Sequence, residues 1–332
     1  MTVQIAIRTI SAIDGVIERE QGSSYRGWLG KVIPHIGDAY RTDDDPFRPH
    51  LGASLLGASC GRSIWYSFRW ATRPKFSGRM MRLFNRGHME EARFIAMFLM
   101  IGCQVFQQDE NGKQYRISGS EGHFGGSGDG IMLGIPDLPP GTYALSEFKT
   151  HSEKSFIDLA GKNWRDYIEG QIGVPGKPRV PFTGKGVRES KFEHYVQMCL
   201  YMHKMKLPFA IYCAVNKNTD DIYMEIISAN PEVAEQFLER GDKIIWMREA
   251  PSKINNSPGW YECKFCDHHP VCHMGKAPDV NCRTCGYSLP IKGGHGVWAC
   301  TNPVVTNGGD LAPLDRKTQF NGCSHYERSE EF

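Results

Sequence analysis

Gly125–Thr150 reads GGSGDGIMLGIPDLPPGTYALSEFKT. A glycine-rich approach reaches Asp129, a short apolar run follows, and a second apolar run ends in Glu147-Phe148-Lys149. Between the runs, Pro136 to Gly141 supplies two adjacent prolines and a glycine, which make turns and cannot sustain a strand ladder. The stretch is therefore predicted to be a β-hairpin. Facing positions in an antiparallel pair sum to a constant, so a turn centred near residue 138 sets Asp129 opposite roughly Glu147. Glu147 and Lys149 share a face, while Phe148 points to the other side, toward the core. Two carboxylates are hard oxygen donors suited to Mg²⁺ or Mn²⁺, and a lysine beside them can hold or polarise an attacking water. A Glu-x-Lys on a strand is by itself common as a solvated ion pair; its weight here comes from the facing Asp129. Asp137 is the rival, because Ile135-Pro136-Asp137 precedes the same Glu-Phe-Lys. It lies inside the turn, a strand's length from Glu147, so the phase of the hairpin selects Asp129.

The chain has 332 residues, enough for one large domain with appendages or for two domains. A net charge of +2 gives no global basic field, so any nucleic-acid groove has to be local. No apolar run of about 18 residues appears and the first residues lack a signal peptide's pattern, so a cytoplasmic protein with no membrane partner is expected. In such a compartment the 11 cysteines are not expected to form disulfides. Seven of them fall between Cys263 and Cys323, a clustering that points to metal. Of the others, Cys60, Cys103, Cys199 and Cys213 read individually as packed thiols.

Along the chain, residues 2–20 carry a weak helical pattern and residues 21–52 read as a loop-dominated entry segment. A helix start and an apolar-aromatic helix are predicted over 53–70. A strongly amphipathic helix follows over 78–101, with Gly87 and Glu91 stacked on one face and His88 beside them. Residues 103–108 read as a strand. The segment 151–192 is polar and irregular, and its Lys162, Arg165, Lys177, Arg179, Lys185 and Arg188 suit either a mobile phosphate-contacting loop or a solvated insertion. A helix over 191–206 aligns His194, Gln197 and Tyr201 on one face; strands at 209–215 and 221–227 form a hairpin, and a helix spans about 231–248. This order gives a mixed α/β domain.

Gly87-x-x-x-Glu91, Asp129 in Gly-Asp-Gly, Glu147-Phe148-Lys149 and Gln197-x-x-x-Tyr201, in this order, resemble the RecB-like branch of the PD-(D/E)XK nuclease superfamily. They are similar to phage-type exonucleases and to CRISPR-associated exonucleases. The resemblance covers about residues 53–225. It implies an α/β fold with a PD-(D/E)XK restriction-endonuclease-like core, a central mixed sheet flanked by helices, within a nuclease domain over 53–273 that follows an extension over 1–52. It also implies a metal-dependent deoxyribonuclease, an exonuclease of phage-type recombination, replication or repair, acting on single-stranded DNA or duplex ends beside recombination or replication proteins. Glu91, Asp129, Glu147 and the carbonyl of Phe148 would hold Mg²⁺ or Mn²⁺, Lys149 would act on the water or the transition state, and Gln197 with Tyr201 would orient lysine and substrate. His88 stands as a competing ligand to Glu91. DNA against RNA stays open, as does the alternative of an inactive nucleic-acid-binding adaptor on the same fold.

Iron–sulfur nucleases of this branch carry one cysteine before the core and C-x2-C-x5-C after it, and Cys263, Cys266 and Cys272 have that spacing. The resemblance thus implies a [4Fe–4S] cluster held by these three and Cys60. A purely zinc alternative pairs Cys263 and Cys266 with Cys282 and Cys285, which leaves Cys60 and Cys272 unused. With the cluster in place, Cys282, Cys285, Cys300 and either Cys323 or His325 remain as a Zn²⁺ set, the basis for a zinc-ribbon-like module over 274–332.

Overall fold

The computed structural model describes residues 2–40 and 47–332, without the side chain of Asp38. Contacts divide the chain into two units, Met1–Asp43 with Phe76–Arg116 and Ser127–Ala234, and Asp44–Lys75 with Ile117–Gly126 and Glu235–Phe332. Among the described residues no helix is long and apolar enough to cross a membrane.

In the first unit, strands β1 (Gln4–Ile5), β2 (Gln104–Phe106), β3 (Gly130–Leu133), β4 (Tyr143–His151), β5 (Phe209–Asn216) and β6 (Ile222–Ser228) form a mixed sheet in the order β1-β6-β5-β4-β3-β2. The hairpin is present: β3 and β4 pair antiparallel, with Gly130 facing Ser146 and Leu133 facing Tyr143. On its other edge β4 pairs parallel with β5 from Ala144 to His151. Strands β5 and β6 are apolar nearly throughout and buried, with Tyr212 and Tyr223 fully so, as strands covered on both faces must be.

The main helices are α1 (Ile7–Glu20), α2 (Ser23–Val32), α3 (Gly78–Met100), α4 (Glu153–Ala160), α5 (Trp164–Ile172) and α6 (Phe192–Met205). Helix α3 meets the face of β4 that carries Phe148, where Phe94 and Phe148 stack at 5.2 Å and 8°. Helix α6 covers the opposite face, the one carrying Glu147.

Two segments differ from the expected loops. Helix α2 occupies part of 21–52 despite Gly27 and Gly30, which each cost about 1 kcal/mol in a helix. Packing against α3 outweighs that cost; the Tyr25 hydroxyl, for one, accepts from Arg93 Nε at 3.1 Å. The segment 151–192 holds α4, α5 and the short helix Gly186–Ser190, because a parallel β4–β5 pair needs a long crossover. Its glycines end helices rather than loosen a loop: Gly161 and Gly173 follow α4 and α5 at φ +89° and +80°. Its cations are largely engaged locally, Arg165 on Asp221 at 2.7 Å, Lys185 on Asp158 at 2.6 Å and Lys177 on Glu169 at 2.5 Å.

The second unit contains two small sheets. One has the order Leu51–Gly52, Phe124–Ser127, Arg116–Gly119, and the other the order Ser288–Pro290, Trp298–Cys300, Ala312–Leu314. Its helices include Gly61–Phe68, Tyr261–Lys264, His269–Met274 and Arg316–Asn321. At its centre Arg283 is 1% exposed, its guanidinium 3.8 Å from the Trp70 ring and 4.7 Å from that of Trp298. It donates to Phe68 O, Pro49 O and Gln319 Oε1 at 2.8–3.0 Å, all neutral acceptors. Burial first, and then Arg316 and Arg69, hold it well below the ordinary arginine range.

Asp137 supplies a helix cap from a distance. Ala6, at the N-cap of α1, has no side-chain acceptor, and Asp137 fills that place from the hairpin turn. Its carboxylate accepts from Arg8 N at 3.2 Å, Thr9 N at 2.7 Å and Thr9 Oγ1 at 2.7 Å. Asp137→Ala is expected to lower stability by about 1–2 kcal/mol in urea unfolding. An unchanged unfolding midpoint would show that the cap contributes nothing.

Candidate functional site

Asp129 immediately precedes β3, and continuing the β3–β4 register by one position brings it opposite Glu147. Gly130 makes the approach possible: at φ +151° any added Cβ would lie 2.9 Å from Phe106 O. The Asp129 carboxylate accepts the Phe148 N–H at 2.9 Å through Oδ2, so backbone geometry fixes it on the Glu147 face. Glu147 is 1% exposed, its Oε1 in contact with Lys149 Nζ and its Oε2 accepting from Gln197 Nε2 at 3.3 Å. Burial pushes Glu147 up to about 7, Asp129 adds to the rise, and Lys149 opposes it. For Lys149, burial alone would lower the pKa; Glu147, Asp129 and Glu91 outweigh it and raise the ammonium above its ordinary value.

Tyr201 lies one turn beyond Gln197 on α6 and donates to Ser127 O at 2.8 Å, tethering the approach to Asp129. Glu91, on α3, is half-buried and accepts from Gln107 Nε2 at 3.2 Å through Oε1. It belongs to the field around Lys149. His88, half-buried, precedes Glu91 by three residues on that helix. The Phe148 ring faces the core, as expected from its phase. All the carboxylates and polar groups expected at the site thus fall in the first unit. A separate concavity of about 530 Å³, lined by Phe106, Tyr143 and Pro208, is at the other end of β4.

Sequence reasoning missed two members of this polar face. The alternation that links Glu147 to Lys149 continues to His151, and Tyr212 is the cross-strand partner of Glu147. The Tyr212 hydroxyl sits 2.9 Å from His151 Nε2 and 2.9 Å from His194 Nδ1. One hydroxyl has one proton, so it can donate to one ring and accept from the other. Burial, reinforced by Lys191 and Lys149, pushes His151 down to about 4. Burial with Lys149 and His151 takes His194 to about 3.

The expected thiol ligands all lie in the second unit, and every cysteine of the chain is free. Cys60 caps the helix Gly61–Phe68, its Sγ accepting from Ser63 N at 3.4 Å. The Ser63 hydroxyl is in turn 3.5 Å from Cys266 Sγ. Burial raises Cys263, and Cys60 and Cys266 add to that; Cys272 is likewise raised by burial, with Cys60 and Cys266 contributing. Cys282, Cys285, Cys300 and Cys323 share a separate cavity with His325. The eight cysteines are therefore sorted as Cys60, Cys263, Cys266 and Cys272 in one neighbourhood and the other four in a second.

Among the described residues, no three or more His, Cys, Asp or Glu side chains are gathered into a metal-holding group as they stand. The donor chemistry nonetheless fits. Asp129 and Glu147 are paired oxygen donors whose mutual cost a hard cation relieves, and four thiols suit an iron–sulfur cluster or zinc.

No family model matches the sequence, and no curated protein matches it. Among solved structures, SSO0001 aligns at 14% identity over 76% of this chain and 97% of its own, with a TM-score of 0.32. The alkaline exonuclease (LHK-Exo) from Laribacter hongkongensis aligns over 66% of this chain and 90% of its own. Its complex with dAMP gives 13% identity and a TM-score of 0.33, and a second structure gives 12% and 0.31.

The buried imidazoles set a pH dependence of stability. Both are neutral in the fold but take up a proton near pH 6.5 in the unfolded chain. The unfolded chain therefore binds more protons below about 6.5, and stability falls as pH is lowered from there toward about 4. Urea unfolding at several pH values is expected to show this slope, flattened in the His151→Gln/His194→Gln double variant. An equally steep slope in the double variant would assign the acid sensitivity to other groups.

Proposed function

We infer that this chain is a metal-dependent nuclease that hydrolyses DNA phosphodiester bonds on a PD-(D/E)XK core of the RecB-like branch. The observation that carries the reading is Asp129, fixed by the Phe148 N–H opposite Glu147, with Lys149 on the same face. Asp129, Glu147 and Glu91, with the carbonyl of Phe148, would hold Mg²⁺ or Mn²⁺, which supplies an acidified water and offsets charge on the phosphate.

The chain's own groups divide the remaining work. Gln197 fixes one oxygen of Glu147 and Lys149 the other, so the carboxylate keeps one orientation. With its pKa raised, Lys149 stays an ammonium at neutral pH, which suits holding the attacking water and stabilising the phosphorane charge better than removing a proton. Tyr201 holds the strand that delivers Asp129. Cys60, Cys263, Cys266 and Cys272 would hold a [4Fe–4S] cluster with a structural part, since hydrolysis moves no electrons. The finer reading is an exonuclease acting on single-stranded DNA or duplex ends in phage-type recombination or replication.

Wild-type protein is expected to degrade labelled DNA with Mg²⁺ or Mn²⁺ and to stop on chelation. Lys149→Ala and Asp129→Asn are each expected to lose about a hundredfold or more while remaining folded. Wild-type protein that binds DNA yet leaves single strands and duplexes intact with either metal would replace the enzyme by a binding adaptor.

A further inference from the structure

The three-stranded sheet of Ser288–Pro290, Trp298–Cys300 and Ala312–Leu314 has three residues in each strand, too few to bury a core of its own. Four cysteines from three places in the sequence line one cavity beside it. Cys282 and Cys285 bracket a single 3₁₀ turn, capped by Asn281 and closed by Cys285 N donating to Cys282 O at 3.0 Å. Cys300 ends the middle strand, and its Sγ accepts the N–H of Asn302 at 3.4 Å. Cys323 follows the helix Arg316–Asn321, whose start Asp315 caps through Thr318 N at 2.7 Å. All four line one cavity of about 60 Å³, and three of them are buried.

We propose that Cys282, Cys285, Cys300 and Cys323 form a zinc site with four sulfur ligands, separate from the catalytic carboxylates and from the thiols around Cys60. A Cys-x2-Cys turn presents two thiols to one point, and the end of a neighbouring strand and a following helix supply the others, as tetrahedral zinc requires. The N–H donated to Cys300 Sγ is the kind of contact that favours thiolate over thiol. As the side chains stand they are not drawn onto a common point. Cys282 instead donates its S–H to Thr318 O at 3.3 Å. Loading exchanges protons for metal: each bound thiol releases one proton to solvent and becomes a thiolate ligand, and zinc changes no oxidation state. His325 lines the same cavity two residues past Cys323, and Cys323 is chosen because it makes the set all-thiol, a choice that His325→Ala tests.

The test uses full-length protein, elemental analysis, and cobalt(II) as a spectroscopic substitute for zinc. The expected result is a zinc equivalent of about one per chain that survives Cys60→Ser and is lost in Cys300→Ser. Cobalt-loaded wild type should show thiolate-to-cobalt charge transfer and strong tetrahedral bands, retained in His325→Ala and altered in Cys323→Ser. Because Cys300→Ser can fail to fold, the change in the cobalt spectrum on Cys323→Ser, at an exposed position, decides independently. A spectrum without sulfur charge transfer, zinc retained in Cys300→Ser, or iron in place of zinc at these four residues would overturn the assignment. None of these readouts depends on DNA cleavage, so the site stands or falls apart from the nuclease reading.

Discussion

Strand Tyr143–His151 is held antiparallel on one edge and parallel on the other, and the first unit is arranged around that asymmetry. The antiparallel edge needs only the short connection from Leu133 to Tyr143, so Asp129 comes opposite Glu147 just 18 residues before it in sequence. The parallel edge needs a crossover, and the crossover ends in the helix that carries Gln197, His194 and Tyr201. One strand therefore recruits its partners for Glu147 from two directions. Because alternate residues of a strand face opposite ways, the same strand sends Phe148 into the packing against Phe94. The polar face keeps its position because the apolar face is stacked.

What the sequence made legible follows from how local each signal was. The hairpin and its phase rest on one continuous stretch of sequence, and the register agrees with both; the preference for Asp129 over Asp137 rests on that phase. Alignment of Gln197 with Tyr201 is likewise a property of one helix. The helix Ser23–Val32 was missed because glycine is a local penalty, whereas the compensation comes from a helix more than 40 residues away. The segment 151–192 was misjudged because glycines that cap helices and glycines that loosen loops look alike until the parallel pairing is known. Tyr212 could not be placed at all, since it joins His151 and His194 through three separate elements. Cysteine spacing allowed two partitions, because spacing orders thiols along the chain and says nothing of which distant ones face each other.

The second unit follows another logic. Arg283 and Arg69 occupy places where a larger domain would put leucine or phenylalanine, laid against Trp70, Trp298 and Trp65. Arg69 is driven down to about 10, by burial first and then by Arg248. A buried cation without a carboxylate is tolerable when its donors find carbonyls and its plane lies on aromatic faces, as for Arg283, whereas Arg69 leaves its Nε buried without a partner. The same short turn turns two ways, with Cys282 and Cys285 toward the cavity and Arg283 and Thr284 inward. A change in that turn touches both the thiols and the aromatic interior.

The cap that Asp137 provides has a bearing on the order of assembly. During synthesis the helix Ile7–Glu20 emerges early, but the carboxylate that satisfies its first amides follows 128 residues behind Thr9. The strand before it, Gln4–Ile5, waits longer still, since its partners are Ile226 and Glu225. The beginning of the chain is thus completed by distant residues, and such long loops close slowly. Until Asp137 has been made the amides of Arg8 and Thr9 lack their acceptor, and until Glu225 and Ile226 have been made Gln4–Ile5 has no strand to pair with. The strand Gln4–Ile5 therefore belongs among the last parts of the sheet to be secured.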